Sequence, residues 1–397
     1  MLHIHRRLLY TSNYSNALEY GYTCANSSRH FYAYMELFHE YYTPFIMVAG
    51  MLGNSVSCLV LLSTHLRLRS SSYYLAALSL VDSGYLFCAF LVYCSSGDLF
   101  NLYDRPGFCQ TCIYLTYVFS FLSVWLIVAF TVERFIAVQY PLKRPYICTV
   151  KRAKMIVGAL TALAFLLYAH TFWITDVIED ECQMRPEYQE VMEVVNYADT
   201  VGTLLIPVVM IVGMNSMIAC SLFKFRSTMQ VRLTDDGRPR NVHACRNSTS
   251  QSTSSTKKSK DHQQLEENKK QIRVIKKLNK FSHIFVKKST NTTPYYTQHG
   301  INKMLFVISS VFIVLNFPSY LIRLCYYFDS IMQLQVVRIY FDCIQQFAML
   351  LYCTNFSINF LLYTMCGKAF RLSLRMFFAS AFHRLTCVGQ ANSTSNI

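Results

Sequence analysis

Charge is scarce in this sequence, and acid scarcer than base. Asp, Glu, Lys and Arg make up 15% of its 397 residues, with 22 acids against 37 bases. Seven stretches carry almost no charge, at about 41–63, 72–94, 107–132, 155–175, 200–223, 304–327 and 343–366. A helix needs roughly 20 apolar residues to cross a hydrocarbon core of about 30 Å, and each stretch reaches that length. Backbone polar groups in lipid must be satisfied internally, and the stretches are too long for barrel strands, so helices are expected. With 53% hydrophobic residues the chain does not read as the two or three soluble domains that its length would otherwise suggest. No nucleophile–base pair or metal-ligand set recurs across the stretches, which argues against an enzyme. No internal repeat is visible either, and Asp82 is the one acid deep in the spans. A secondary transporter of a cationic solute, which tends to show repeated halves and paired intramembrane charges, is the alternative of a different class.

What charge there is falls unevenly. With seven alternating spans, 30 of the Lys and Arg lie on one side, in the loops after the first, third and fifth spans and in the tail. The other side holds Arg6, Arg7, Arg29, Arg105, Arg185, Arg323 and Arg338. The basic side is expected to be cytoplasmic and the N-terminus outside. A nucleic-acid partner is not expected, because the bases sit in Ser/Thr/Lys-rich sequence rather than on a folded face with interleaved aromatics. The opening Met1-Leu2-His3-Ile4-His5-Arg6-Arg7 is followed by polar residues, so the first span is expected to serve as its own insertion signal. Asn13-Tyr14-Ser15 and Asn26-Ser27-Ser28 are glycosylation acceptor patterns in the outer segment.

The expected organisation is an extracellular segment 1–40, helices one to five over 41–224, a long basic cytoplasmic loop 225–300, helices six and seven over 301–366, and a tail 367–397. The loop is too rich in Lys, Ser, Thr, Asn and Gln to bury a core and is expected to be disordered, with nascent helix over Gln264–Val286. After Gly367, Phe370, Leu374 and Phe377 share one face while Lys368, Arg371 and Arg375 share another. That pattern predicts a short amphipathic helix lying in the membrane interface, with lipids as its partner. Cys387 beyond it reads either as a palmitoylation site or as a reduced tail thiol.

Individual spans carry motifs. Gly53-Asn54 lies in the first, Leu75-Ala76-Ala77-Leu78-Ser79-Leu80-Val81-Asp82 in the second, and Glu133-Arg134-Phe135 ends the third. Cys109 precedes Arg134 by 25 residues, Pro207 sits within the fifth span, and Asn359-Phe360-Leu361-Leu362-Tyr363 lies in the seventh. Together they resemble the rhodopsin-like G-protein-coupled receptors across all seven spans, with Phe360 where the family's seventh-helix motif has Pro. Asn316-Phe317-Pro318 in the sixth span and Asn355-Phe356-Ser357-Ile358-Asn359-Phe360 resemble, more narrowly, the invertebrate FMRFamide-like neuropeptide receptors.

The resemblance implies a seven-transmembrane-helix bundle and a set of roles. Glu133 and Arg134, with Phe135 beside them, would form a local ion pair whose opening frees the arginine for a heterotrimeric G protein, with arrestin and receptor kinases as further partners. Asn316, Pro318, Asn359 and Tyr363 would belong to the activation switch. Gln298 stands where an acid often completes the Arg134 lock, so the resemblance implies a looser inactive state. Asp82, Ser123, Asn355 and Asn359 match the family's allosteric sodium site; a protonated Asp82 hydrogen-bonded to the same partners is the alternative. No other cofactor is implied. Cys109 and Cys182 are the disulfide candidates, Cys182 being the only cysteine between spans four and five, with Cys112 as rival partner. Thr116 in place of an Asp speaks against an amine ligand, and Cys353 in place of a Lys excludes retinal. The usual tryptophans of the fourth and sixth spans are missing, and Asn215 replaces a customary Tyr.

On the expected outer side, 15 acids face seven bases, most densely around Cys182. Such a mouth attracts cations. Asp199, in the outer third of the fifth helix, is the residue expected to pair with a ligand's Arg or Lys. Thr116, Tyr117, Glu181, Asp342, Gln345 and Gln346 complete the expected pocket. Arg323 either hydrogen-bonds a peptide carbonyl or terminal amide or snorkels to headgroups. The function expected is a plasma-membrane receptor for a short basic neuropeptide, with or without a C-terminal amide; a receptor for a non-peptide ligand is the nearer alternative.

Overall fold

The computed structural model describes residues 38–96, 102–178, 181–235, 304–322, 325 and 338–379, with the side chains of 39, 96, 189, 193, 225–235 and 338–346 outside that description. Six helices are long and apolar enough to span a membrane: α1 (Glu40–Ser63), α2 (Ser70–Ser95), α3 (Phe108–Gln139), α4 (Val150–Ile174), α5 (Glu190–Lys224) and α6 (Met304–Ile322). The seventh, α7, is a broken span, Phe347–Ser357 followed by Asn359–Cys366 at an angle of 52°. All seven fall on the stretches expected from the missing charge. The Asn13 and Asn26 acceptors, Gln298, Arg323 and Cys387 lie outside the described residues.

Local chemistry sets the boundaries. Gly107, at φ 88°, precedes α3 in a conformation that favours a residue without Cβ, and its N–H donates to Gln110 Oε1 at 2.6 Å. Thr149 caps α4 by accepting the Arg152 N–H at 3.4 Å. Within α5 the residues Val201–Leu205 form a π-helical stretch just before Pro207. Proline has no N–H to donate and its ring crowds the preceding turn, so the backbone widens there. The α5 helix also runs past the expected boundary at 224, as far as Asp235. A second unit, Leu222–Gly300, holds that helical end.

Between α4 and α5, β1 (Thr175–Ile178) and β2 (Glu181–Met184) pair antiparallel with Val177 opposite Cys182. At the other end, α8 (residues 368–379) follows Gly367. It is helical as expected, but its faces are used differently. Phe370 is buried against Tyr363 and Phe360, so part of the expected lipid face packs on α7 instead. Arg371 turns back to donate to the Thr364 and Met365 carbonyls at 2.8 Å each, satisfying groups that the end of α7 leaves without intrahelical partners. Leu372, Met376 and Phe378 are left exposed.

Small residues let the helices close up. A Cβ on Gly50 would lie 2.6 Å from Ser357 Oγ of α7 and 2.7 Å from Leu86 of α2. One on Gly84 would meet the Phe119 ring of α3 at 2.6 Å. Helices in lipid gain no hydrophobic drive from meeting each other, so close backbone approach and polar ties carry their association. Two such ties join α1 to α7: Tyr42 Oη with Thr354 Oγ1 at 2.8 Å, and Asn54 Nδ2 donating to the Phe356 carbonyl at 2.7 Å. Tyr85 stacks on Phe356 with ring centroids 3.9 Å apart, anchoring α2 to α7.

Candidate functional site

Three groups of polar residues lie along the bundle. At one end of α3, Arg134 is 2% exposed and donates to the Glu133 carboxylate beside it. The side chain also lies over the Phe130 ring at 5.8 Å. Its Nε and Nη1 have no hydrogen-bond partner among the described residues, an expensive condition for a buried guanidinium. Around this end, Gln139 Nε2 reaches the Met217 carbonyl at 3.3 Å, tying α3 to α5. Asn215 Nδ2 donates to Ser309 Oγ at 2.7 Å, tying α5 to α6. The sequence reading marked Asn215 only as a departure from Tyr; the structure gives it a partner. Phe135 packs edge-on against Tyr140.

In the middle, Asp82 is 0% exposed. Its Oδ2 accepts from Asn359 Nδ2, and Ser123 of α3 lies near the carboxyl group. Among the described residues, Oδ1 has no donor within hydrogen-bond distance. Asn355 is buried on α7, but no hydrogen bond joins it to Asp82. A carboxylate oxygen and a hydroxyl suit a hard cation, and the orphaned Oδ1 fits one. Asn359 presents its amide N–H side, so three of the four expected groups surround the position and one of them as a donor. Tyr363 is wholly buried, and Asn316 spends its amide on the Phe312 carbonyl of its own helix at 2.7 Å. Pro318 lies inside α6, which continues to Ile322.

At the opposite end, Cys109 and Cys182 form the disulfide, which decides against Cys112. Asp104 is buried there: its Oδ1 accepts the Cys182 N–H at 2.9 Å and its Oδ2 the Ser95 hydroxyl at 3.3 Å. Asp176 accepts the Val177 N–H at 2.9 Å and the Arg185 guanidinium at 2.8 Å. The Val177 N–H, then Arg185, hold its carboxyl below the usual carboxylate range. Two of the fifteen acids expected to give a solvated mouth are therefore internal clasps for the disulfide and the hairpin. Glu181, by contrast, is exposed on β2.

Beneath the hairpin the Asp199 carboxylate accepts the Tyr168 hydroxyl of α4. Tyr168 stacks on Tyr117 with centroids 5.5 Å apart, and Tyr117 Oη reaches Asn196 Oδ1 at 3.5 Å. Tyr320 of α6 donates to Thr203 of α5 at 3.2 Å. Asp199 and Tyr117 are thus brought together, through a tyrosine that no local pattern singled out. Thr116 is buried and donates to the Cys112 carbonyl of its own helix at 2.7 Å. Asp342, Gln345 and Gln346 stand on the helix Arg338–Ser357, and their side chains lie outside the described residues.

Comparison with known proteins matches residues 53–363 to the model of the seven-transmembrane receptors of the rhodopsin family. Curated relatives include the thyrotropin-releasing hormone receptor of Gallus gallus, 32% identical over 130 residues, and that of Homo sapiens, 31% identical over 129. Each match covers 32% of this chain and 32% of the relative, about a third of either length.

Proposed function

This chain belongs to the rhodopsin family of seven-transmembrane receptors, and on that premise we propose that it is a plasma-membrane receptor for a short, basic neuropeptide, signalling through a heterotrimeric G protein. It is a multi-pass membrane receptor and not an enzyme; the family likewise sets aside the transporter reading. The observation that carries the ligand proposal is the Asp199 carboxylate, held among Tyr168 and Tyr117 beneath the disulfide-linked hairpin. A ligand guanidinium or ammonium would replace the Tyr168 hydroxyl there. A cation adds a Coulombic attraction to the carboxylate that the neutral Tyr168 hydroxyl does not supply, so the exchange favours a cationic ligand. Thr116, Glu181, Arg323, Asp342, Gln345 and Gln346 complete the proposed pocket.

The remaining roles follow the same reading. On this reading the disulfide end and the N-terminus would lie outside, with Asn13 and Asn26 as glycosylation acceptors. At the inner end, agonist shifts a population of packings in which Glu133 releases Arg134. The unpartnered guanidinium nitrogens are ready donors for a G-protein segment, and arrestin and receptor kinases would meet the same end. Sodium at Asp82, with Ser123 beside it and Asn359 turned to offer its amide oxygen, would favour the closed packing. Membrane lipids would meet the exposed Leu372, Met376 and Phe378 of α8.

The names of the relatives make thyrotropin-releasing hormone the first ligand to try. The FMRFamide-like alternative rests on Asn316, Pro318 and the 355–360 segment alone, and FMRFamide-related peptides form the second panel. Cells expressing the chain are screened with both sets, read by calcium and cyclic AMP, and hits are carried to nucleotide exchange on purified G protein. A basic peptide that stimulates exchange supports the proposal; activation by non-peptide ligands alone overturns the peptide part.

A further inference from the structure

Two thiols outside these groups meet between α2 and α3. Cys88 and Cys112 are buried and unbonded, and Cys112 Sγ donates to the Cys88 carbonyl oxygen at 3.6 Å. Thr116, one turn further along α3, donates to the Cys112 carbonyl at 2.7 Å. Cys112 lies three residues beyond Cys109 in α3, about 4.5 Å along the helix, so the pair shares the end that holds the Cys109–Cys182 disulfide. A buried cysteine is ordinarily a small apolar side chain. Cys94 and Cys353 fit that description, being buried with no second thiol against them among the described residues. Cys88 and Cys112 differ in meeting each other across a helix interface, the thiol of one on the backbone of the other.

We propose that Cys88 and Cys112 form a dithiol site that a hydroperoxide closes into a second disulfide, joining α2 to α3 one turn beneath Cys109. One thiol, deprotonated, attacks the terminal peroxide oxygen; the O–O bond breaks, an alcohol leaves, and a sulfenic acid remains. The sulfur of the second thiol displaces that hydroxyl as water and the S–S bond forms. The dithiol loses two electrons to the peroxide, and its two protons end in the alcohol and the water. Cys112 Sγ already lies 3.6 Å from the Cys88 carbonyl oxygen, so the two residues are neighbours before any oxidant arrives. Once closed, the bond stops α2 from sliding on α3 directly beside Thr116. The inference depends on the packing of these two helices and not on which ligand the receptor takes.

The test uses the full chain, purified in nanodiscs and treated with tert-butyl hydroperoxide. After denaturation, free thiols are alkylated with iodoacetamide, and the protein is digested without reduction for mass spectrometry. The expected result is a Cys88–Cys112 linked peptide pair, several-fold more abundant than in untreated protein, with Cys94 and Cys353 alkylated. Dithiothreitol should return both thiols, and Cys88→Ser should abolish the link and leave Cys112 open to the sulfenic-acid probe dimedone. Treated wild-type protein with Cys88 and Cys112 both alkylated, or with Cys112 linked to Cys182, would overturn the proposal without recourse to any variant.

Discussion

Asp199 and Asp176 belong to the same acidic set by sequence, yet their surroundings assign them different work. Asp199 is half-buried with a neutral donor, Tyr168. Asp199→Asn is expected to weaken agonist potency tenfold or more, about 1.4 kcal/mol, measured at matched surface expression. Unchanged potency removes Asp199 from the pocket. Asp176 instead holds a hairpin. Its carboxyl is depressed in the folded chain, so its contribution is present above the ordinary carboxylate range and is lost as pH falls through the lowered value. Amide exchange across Thr175–Met184, corrected for the intrinsic pH dependence, is expected to accelerate on acidification below that range. Asp176→Asn should exchange faster at neutral pH and show no such acid step. The sequence could not separate the two acids, because both are single carboxylates near a loop. What distinguishes them, Tyr168 thirty-one residues before one and Arg185 nine after the other, is tertiary.

Helix positions were legible because missing charge over a bilayer's length has one explanation in lipid. The Glu133–Arg134 pair was legible too, being adjacent in sequence and placed at the end of an apolar span. Contacts between elements were not. Asn215 meets Ser309 and Asn54 meets the Phe356 carbonyl across separations of 94 and 302 residues, where no periodicity reports. Close packing was likewise hidden, since Gly50 and Gly213 look alike in the sequence. Only Gly50 has neighbours within reach of an added Cβ; Gly213 has none within 4 Å. Gly50→Ala is expected to destabilise the bundle by about 1–3 kcal/mol through overpacking against Ser357 and Leu86. Gly213→Ala should be neutral or slightly stabilising. Thermal unfolding in detergent compares them, and equal midpoints would mean that the α1–α2–α7 contact relaxes freely.

For the whole molecule, the uneven distribution of Lys and Arg and the odd number of spans make one demand. Tags at the two termini should lie on opposite sides of the plasma membrane, the N-terminal one reachable by antibody on intact cells. Equal staining of both would refute the heptahelical reading as applied to this chain. The disulfide and the Asp104 clasp that holds it form one fixture at one end of α3, with buried Arg134 toward the far end of the same helix. One rod thus carries a covalent link to the hairpin toward one end and the Glu133–Arg134 pair toward the other.

The break in α7 has a further implication. Phe360 stands two residues past the 52° break, and unlike proline it keeps its amide hydrogen. No ring imposes the angle from within. What surrounds the elbow is the crowding of Phe360 against Gly53 and its edge-on meeting with Phe370. The crook of this helix is thus a posture maintained by neighbours, and a partner that pries at α8 has a lever on it.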